Sequence, residues 1–133
     1  MLLVSTYLSN SPGKGVGLFA KEMIPEGTVW WVRNEDFDKV ISDCELNSYT
    51  ELSAVFIKTY GFHEQAGNWY LCIDNARFSN HSYAPNTLNN LNEKGQLVSC
   101  TASKNIYPGD EIFCNYQDIC TASRAELGFE DAG

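Results

Sequence analysis

Asn80 and His81 sit side by side in Arg77-Phe78-Ser79-Asn80-His81-Ser82, with Pro85-Asn86 just behind, and Tyr116 closes the run Gly109-Asp110-Glu111-Ile112-Phe113-Cys114-Asn115-Tyr116. A histidine can move a proton or hold a metal. A metal would need further ligands at suitable spacing, and His63 and Asp74 are weak candidates, so the reading is that no metal is held. The cysteines at 44, 72, 100, 114 and 120 make a Cys-His nucleophile pair conceivable, but nothing marks any of them as activated. Upstream, Gly13, Gly15 and Gly17 alternate, which lets backbone approach a ligand closely. A dinucleotide loop must open a helix, whereas Val16-Gly17-Leu18-Phe19-Ala20 is strand-like, and the Lys-Ser/Thr ending of a phosphate loop is missing. On residue types alone, the glycine run is a hairpin connection, His81 a structural residue and Tyr116 a packed strand end.

In their order and spacing, the three pieces resemble the SET-domain family of lysine methyltransferases, from about residue 4 to residue 116. The family pattern R-F-x-N-H-S-C-x-P-N is met from Arg77 to Asn86, with Tyr83 in place of the cysteine. The closing pattern G-E/D-E-L-T-F-D-Y is met from Gly109 to Tyr116, with Asn115 for the aspartate and Cys114 where the family commonly has Phe or Tyr. The resemblance implies S-adenosylmethionine as cofactor. It implies main-chain contacts to that cofactor from Lys14, Gly15 and Val16, further binding by Arg77, Phe78, Asn80 and His81, and Tyr116 as the catalytic residue. The family's Phe/Tyr choice influences how many methyls are added, a rule that does not transfer to Cys114. Residues 117–133 hold one cysteine, so the zinc-binding C-terminal extension of many such enzymes is not expected. Phe129 is a candidate to fold over the cofactor instead.

The implied reaction is an in-line displacement in which a neutral lysine amine attacks the methyl of a sulfonium. Near pH 7.4 only about one lysine in a thousand is neutral. An apolar channel disfavours the ammonium by desolvation, and a neighbouring sulfonium pushes the same way. Alignment of amine, methyl and sulfur supplies much of the remaining rate, with the tyrosine hydroxyl and backbone carbonyls orienting the centres. A SET-type module that binds peptide or cofactor with little turnover is the alternative reading. A β-clip domain unrelated to the family stands behind both.

The elements that must position these residues are short. Strands are expected over Leu2–Leu8, Val16–Ala20, Thr28–Arg33, Trp69–Ile73 and Glu111–Cys114. Ser9–Gly15 reads as a loop, Thr87–Leu91 and Gln96–Ala102 as a hairpin, and Pro25-Glu26-Gly27 and Pro108-Gly109-Asp110 as turns. Asn47–Tyr60 is the main helix, ending at Gly61, and Thr121–Leu127 a short one. The fold class is mostly β with one or two short helices. The resemblance makes it a β-clip of small sheets whose C-terminal segment threads a loop in a pseudoknot, an exception to the usual unthreaded connections. Trp30, Trp31, Trp69 and Tyr70 are expected in the core. Tyr60 invites comparison with a family tyrosine that lines the lysine channel.

One domain over 1–133 suits 133 residues at 44% hydrophobic content. A net charge of −8 disfavours nucleic acid and anionic membrane and favours a basic partner, here a protein or peptide bearing a lysine. Five cysteines with no C-x-x-C pair argue against a disulfide framework and for a reducing, cytoplasmic setting. No secretory leader opens the chain, and no apolar run reaches membrane-spanning length.

Overall fold

The computed structural model describes residues 1–119, so the helix expected over Thr121–Leu127, Cys120 and Phe129 lie outside the described residues. The chain is built of small sheets and short helices, as its many brief β-forming runs imply. Among the described residues no helix is long and apolar enough to cross a membrane.

The glycine run is the tip of a hairpin. Strand β1 (Thr6–Ser11) pairs antiparallel with β2 (Gly15–Ala20), from Thr6 opposite Ala20 to Ser11 opposite Gly15. Gly13 and Gly15 take φ of 76° and 83°, which side-chain-bearing residues rarely adopt, and Lys14 N donates to Ser11 O at 2.9 Å. The tight turn lets the ladder run out to Asn10 and Ser11. The expected loop over Ser9–Gly15 is therefore strand up to Ser11, and the expected strand over Leu2–Leu8 begins only at Thr6. Small polar residues there looked like loop composition, but pairing with Val16 and Gly15 supplies their main-chain partners.

A three-stranded sheet follows in the order β3 (Val29–Val32), β9 (Leu97–Ala102), β8 (Thr87–Leu91). Opposite β9 the register shifts between Val29 and Trp31, leaving Trp30 as an extra residue. This bulge explains why two consecutive tryptophans are both buried, since an unbroken strand would turn one outward. They join Leu18, Ala20, Ile24, Tyr70, Ile106 and Ile112 in the main core.

A second sheet has the order β4 (Lys39–Ser42), β6 (Asn68–Leu71), β5 (Phe62–His63). Helix α1 (Asp43–Leu46) and helix α2 (Glu51–Tyr60) pack on it through a smaller core of Ile41, Leu46, Ile57 and Trp69. Thr50 caps α2, its hydroxyl accepting from Ser53 N at 3.2 Å. The helix thus starts four residues later than the periodicity suggests, because Ser42 caps a separate turn before it. Strands β4 and β5 and helix α1 lie in stretches with no expected element, each too short to show a period.

Arg33 and Glu64 pin the two sheets together. Glu64 is fully buried and takes both ends of the guanidinium, at 2.7 and 2.8 Å, and Leu97 N at 3.0 Å. The guanidinium lies 4.3 Å from the centre of the Tyr70 ring, whose hydroxyl donates to Asp38 at 2.5 Å.

Candidate functional site

The site begins at a strand pair only two residues long. β7 (Asn80–His81) runs parallel to β10 (Phe113–Cys114), with Asn80 opposite Phe113 and His81 opposite Cys114. So short a ladder needs other support. Ser82 N donates to Cys114 O at 3.0 Å, and Ile112 N reaches Leu18 O of β2 at 2.8 Å. Asn86 stands in for a strand: its Nδ2 donates to Glu111 O at 2.8 Å and its Oδ1 accepts from Phe113 N at 2.9 Å. Thr87 Oγ1 donates to Phe113 O at 2.7 Å and Asn89 Nδ2 to Asn115 O at 3.0 Å. The segment 111–116 is thereby held between β2, β7 and the start of β8, where the expected threading of the C-terminal segment would fall.

His81 is buried, and its Nδ1 accepts from Tyr116 N at 2.9 Å. A ring nitrogen that accepts carries no proton, so the neutral ring has its N–H on Nε2. Asn115 Oδ1 accepts from Gln117 N at 3.0 Å and caps the short 3-10 turn Tyr116–Asp118. An aspartate would cap the same way, so the departure at Asn115 preserves the local geometry. The Tyr116 hydroxyl donates to Ser79 O at 2.5 Å, and its ring lies 5.1 Å from that of His81.

Behind Tyr116 lies a cavity of about 50 Å³. Aromatic side chains line it (Trp30, Trp31, Tyr60, Phe62 and Tyr116), with Ser79, Arg77 and the thiols of Cys72, Cys100 and Cys114. Burial pushes the Cys100 thiol well above its ordinary range, so it stays protonated and inert. Cys114 is buried and accepts weakly from Ser79 Oγ at 3.6 Å. Tyr60, at the end of α2, lines the same cavity as Tyr116, in keeping with its comparison to a channel-lining tyrosine of the family. Trp30, Trp31 and Arg77 each keep a buried side-chain N–H with no partner among the described residues. Among those residues no group of three His, Cys, Asp or Glu side chains stands together as a metal would need.

The residues singled out from the sequence fall into two groups. Lys14, Gly15 and Val16 form the hairpin tip, and Asn80 touches it: Asn80 Nδ2 donates to Val16 O at 3.1 Å. Arg77 lines the cavity, and the Phe78 ring packs edge-on against Tyr60 at 5.5 Å. The Arg77 guanidinium is 4.7 Å from the centre of the Phe78 ring and 5.8 Å from that of Tyr60, while its Nη1 donates to Ile73 O at 3.1 Å. His81 joins the groups, lying in β7 beside Asn80 and bonded to Tyr116 N. Asn86, Ser79 and Glu111 carry much of this geometry. They were visible only as letters of a motif, because what they do depends on contacts distant in sequence.

The same arrangement of elements occurs in solved structures. A Chaetomium thermophilum polycomb repressive complex 2 chain, in an autoinhibited conformation bound to S-adenosylmethionine, matches with a TM-score of 0.66 and 26% identity over 94% of this chain. The same organism's complex bound to the inhibitor GSK126 gives 0.68 and 26% over 94%. An active polycomb repressive complex 2 in the basal state gives 0.65 and 27% over 89%. This chain covers 16%, 17% and 16% of those chains, so it matches about a sixth of each. No curated protein matches the sequence. Residues 15–117 match the SET domain, more than three quarters of the chain and all three motifs bar the tip of the glycine turn, and the chain belongs to the SET-domain family.

Proposed function

We propose that the protein is an S-adenosylmethionine-dependent protein-lysine N-methyltransferase. The observation that carries this reading is the convergence of Asn80, His81 and Tyr116 on one strand pair, with the Tyr116 hydroxyl fixed at Ser79 O beside an aromatic cavity. The hairpin tip suits the cofactor. Its backbone is open, since an added Cβ at Gly13 or Gly15 would meet no atom within 4 Å, and Asn80 beside it offers a polar side chain. Lys14 N already serves the turn, so Lys14 would contribute its carbonyl. S-adenosylmethionine, when bound, supplies an electrophilic methyl group on sulfur.

The chain's own residues do the rest. Ring walls of the cavity side exclude water and disfavour a lysine ammonium, which promotes the neutral amine that can attack. Ser79 O fixes where the Tyr116 hydroxyl stands, and His81 fixes its backbone through the bond to Tyr116 N. A hydroxyl positioned in advance stabilises charge that develops in the transition state without reorganising. The net charge of −8 suits a basic protein or peptide as substrate, and an intracellular, reducing setting is proposed on the cysteine pattern.

The test pairs binding with turnover. S-adenosylmethionine at one hundred times its dissociation constant should stabilise the fold by about 2.7 kcal/mol. Isotope-labelled cofactor should transfer methyl groups to lysines of lysate proteins, read by mass spectrometry. Tyr116→Phe should keep the cofactor affinity and lose roughly a hundredfold or more in single-turnover rate. Binding without transfer in the wild type would favour the binding module, and full activity in Tyr116→Phe would remove Tyr116 from the chemistry.

A further inference from the structure

Glu111 has no role in the site as described so far beyond its main chain. It bridges to Phe19 of β2, and its side chain turns into the glycine hairpin. Glu111 Oε2 accepts from Ser11 Oγ at 2.9 Å and from Asn80 Nδ2 at 3.0 Å. The same Asn80 nitrogen also donates to Val16 O at 3.1 Å. A carboxamide nitrogen has two hydrogens, and both are directed at groups that only accept, a carboxylate and a main-chain carbonyl. Rotating the carboxamide by half a turn would set its oxygen against two oxygens. Its orientation is therefore fixed, and Asn80 Oδ1 is the atom left without a partner among the described residues.

Gly17 is shaped to this carboxylate. A Cβ there would lie 2.5 Å from Glu111 Oε2 and 3.0 Å from Ser11 Cβ. The φ of Gly17 is not positive, so space rather than backbone freedom accounts for the glycine. Three segments remote in sequence thus meet at one carboxylate oxygen.

We propose that Glu111 is a positioning residue of the cofactor site: it locks the Asn80 carboxamide so that Oδ1 is presented to the ligand as an acceptor. The proposal rests on the methyltransferase reading for the identity of the ligand, not for the lock itself. A ligand group meeting Asn80 must then bring an N–H. A cationic one is favoured, because a carboxylate stands one hydrogen bond behind the amide. S-adenosylmethionine carries such groups in its ammonium and its exocyclic amine.

The experiment uses 15N-labelled protein and calorimetric titration with S-adenosylmethionine. In the wild type the Asn80 side-chain NH2 signals, identified by their loss in Asn80→Ala, should be inequivalent and exchange slowly with water. Glu111→Ala should speed that exchange and weaken cofactor binding about tenfold, the scale of one hydrogen bond to a charged group. Gly17→Ala should do the same with the carboxylate still in the chain, because the new methyl displaces it. Glu111→Gln keeps an acceptor oxygen in place and should restore affinity to within about threefold. In an Asn80→Ala background, Glu111→Ala should cause no further loss, since it acts through the amide. A purely structural Glu111 would lower the melting temperature and weaken binding equally in both backgrounds, which overturns the proposal. Rapid exchange of the Asn80 NH2 in the folded wild type overturns it too, even if Glu111→Ala does not fold. A wild type that binds no S-adenosylmethionine but keeps the slow NH2 signals would sink the methyltransferase reading and leave the lock standing.

Discussion

Glu64 and Glu111 are two carboxylates in small polar clusters, and they are finished differently. Glu64 is fully buried, meets Arg33 through both oxygens and takes Leu97 N as well. Burial pulls the Arg33 guanidinium down, but its bonds to Glu64 and Glu35 outweigh this and leave its pKa raised. Glu111 is only partly buried, serves Ser11 and Asn80 through one oxygen, and fixes an amide whose own oxygen has no partner among the described residues. The first cluster is closed on itself and joins two sheets. The second ends in a hydrogen-bonding position, Asn80 Oδ1, that no described residue fills. Closure of a polar network marks scaffold, and a fixed, leftover acceptor beside an open backbone turn marks a site.

The sharpest way to break this comparison is at Glu64. Glu64→Ala leaves the buried Arg33 guanidinium with only the exposed Glu35 carboxylate and Leu97 O, and should cost about 3–5 kcal/mol of stability. Urea unfolding measures it, and cofactor affinity per folded molecule should not change. A loss below about 1 kcal/mol would place Glu64 among ordinary surface charges.

Tyr70 sharpens the scaffold side. Burial, and then its bond to Asp38, raise the Tyr70 phenol far above its ordinary value of 10.0. In the unfolded chain the phenol ionises near pH 10, while in the folded chain it stays neutral well beyond that. The unfolded state then binds fewer protons, so stability is intact below pH 10 and falls as the pH rises above it. Tyr70→Phe should lose about 1–3 kcal/mol at neutral pH by leaving Asp38 short of a donor, and should show a shallower decline above pH 10. An identical alkaline slope in both proteins would assign that decline to other groups.

The smallest effect is expected at Ser11. Ser11→Ala removes one donor from Glu111 while Asn80 Nδ2 remains, so stability should fall by about 0.5–1.5 kcal/mol. Cofactor affinity should drop less than in Glu111→Ala. A larger drop would make the serine, not the carboxylate, the main support of the amide.

Much of this was legible in the sequence where local chemistry decides. A run of β-formers marked β3, a hairpin turn marked β8 and β9, helical spacing ending at Gly61 marked α2, and three ordered motifs marked the family. The hairpin tip was misread because Asn10 and Ser11 carry loop composition while their partners across the turn impose strand. The paired tryptophans needed a bulge that no spacing shows. Strands of two residues, such as β7 and β10, have no period to detect. Above all, the parts played by Asn86, Glu111 and Gly17 rest on contacts between segments far apart, which a linear reading lists as separate letters.

The β7–β10 pairing also bears on the order of events as the chain folds. Tyr116 N bonds to a ring 35 positions earlier, and the flanking ladder is parallel and two residues long. Such a pairing repays little of the entropy lost in closing so long a loop, so it should form after the β1–β2 and β8–β9 hairpins, whose contacts are local. Substitutions at Asn86 or Thr87 should then speed unfolding far more than they slow refolding, the signature of contacts absent from the folding nucleus. The region proposed to do the chemistry would be the last to close and the first to open.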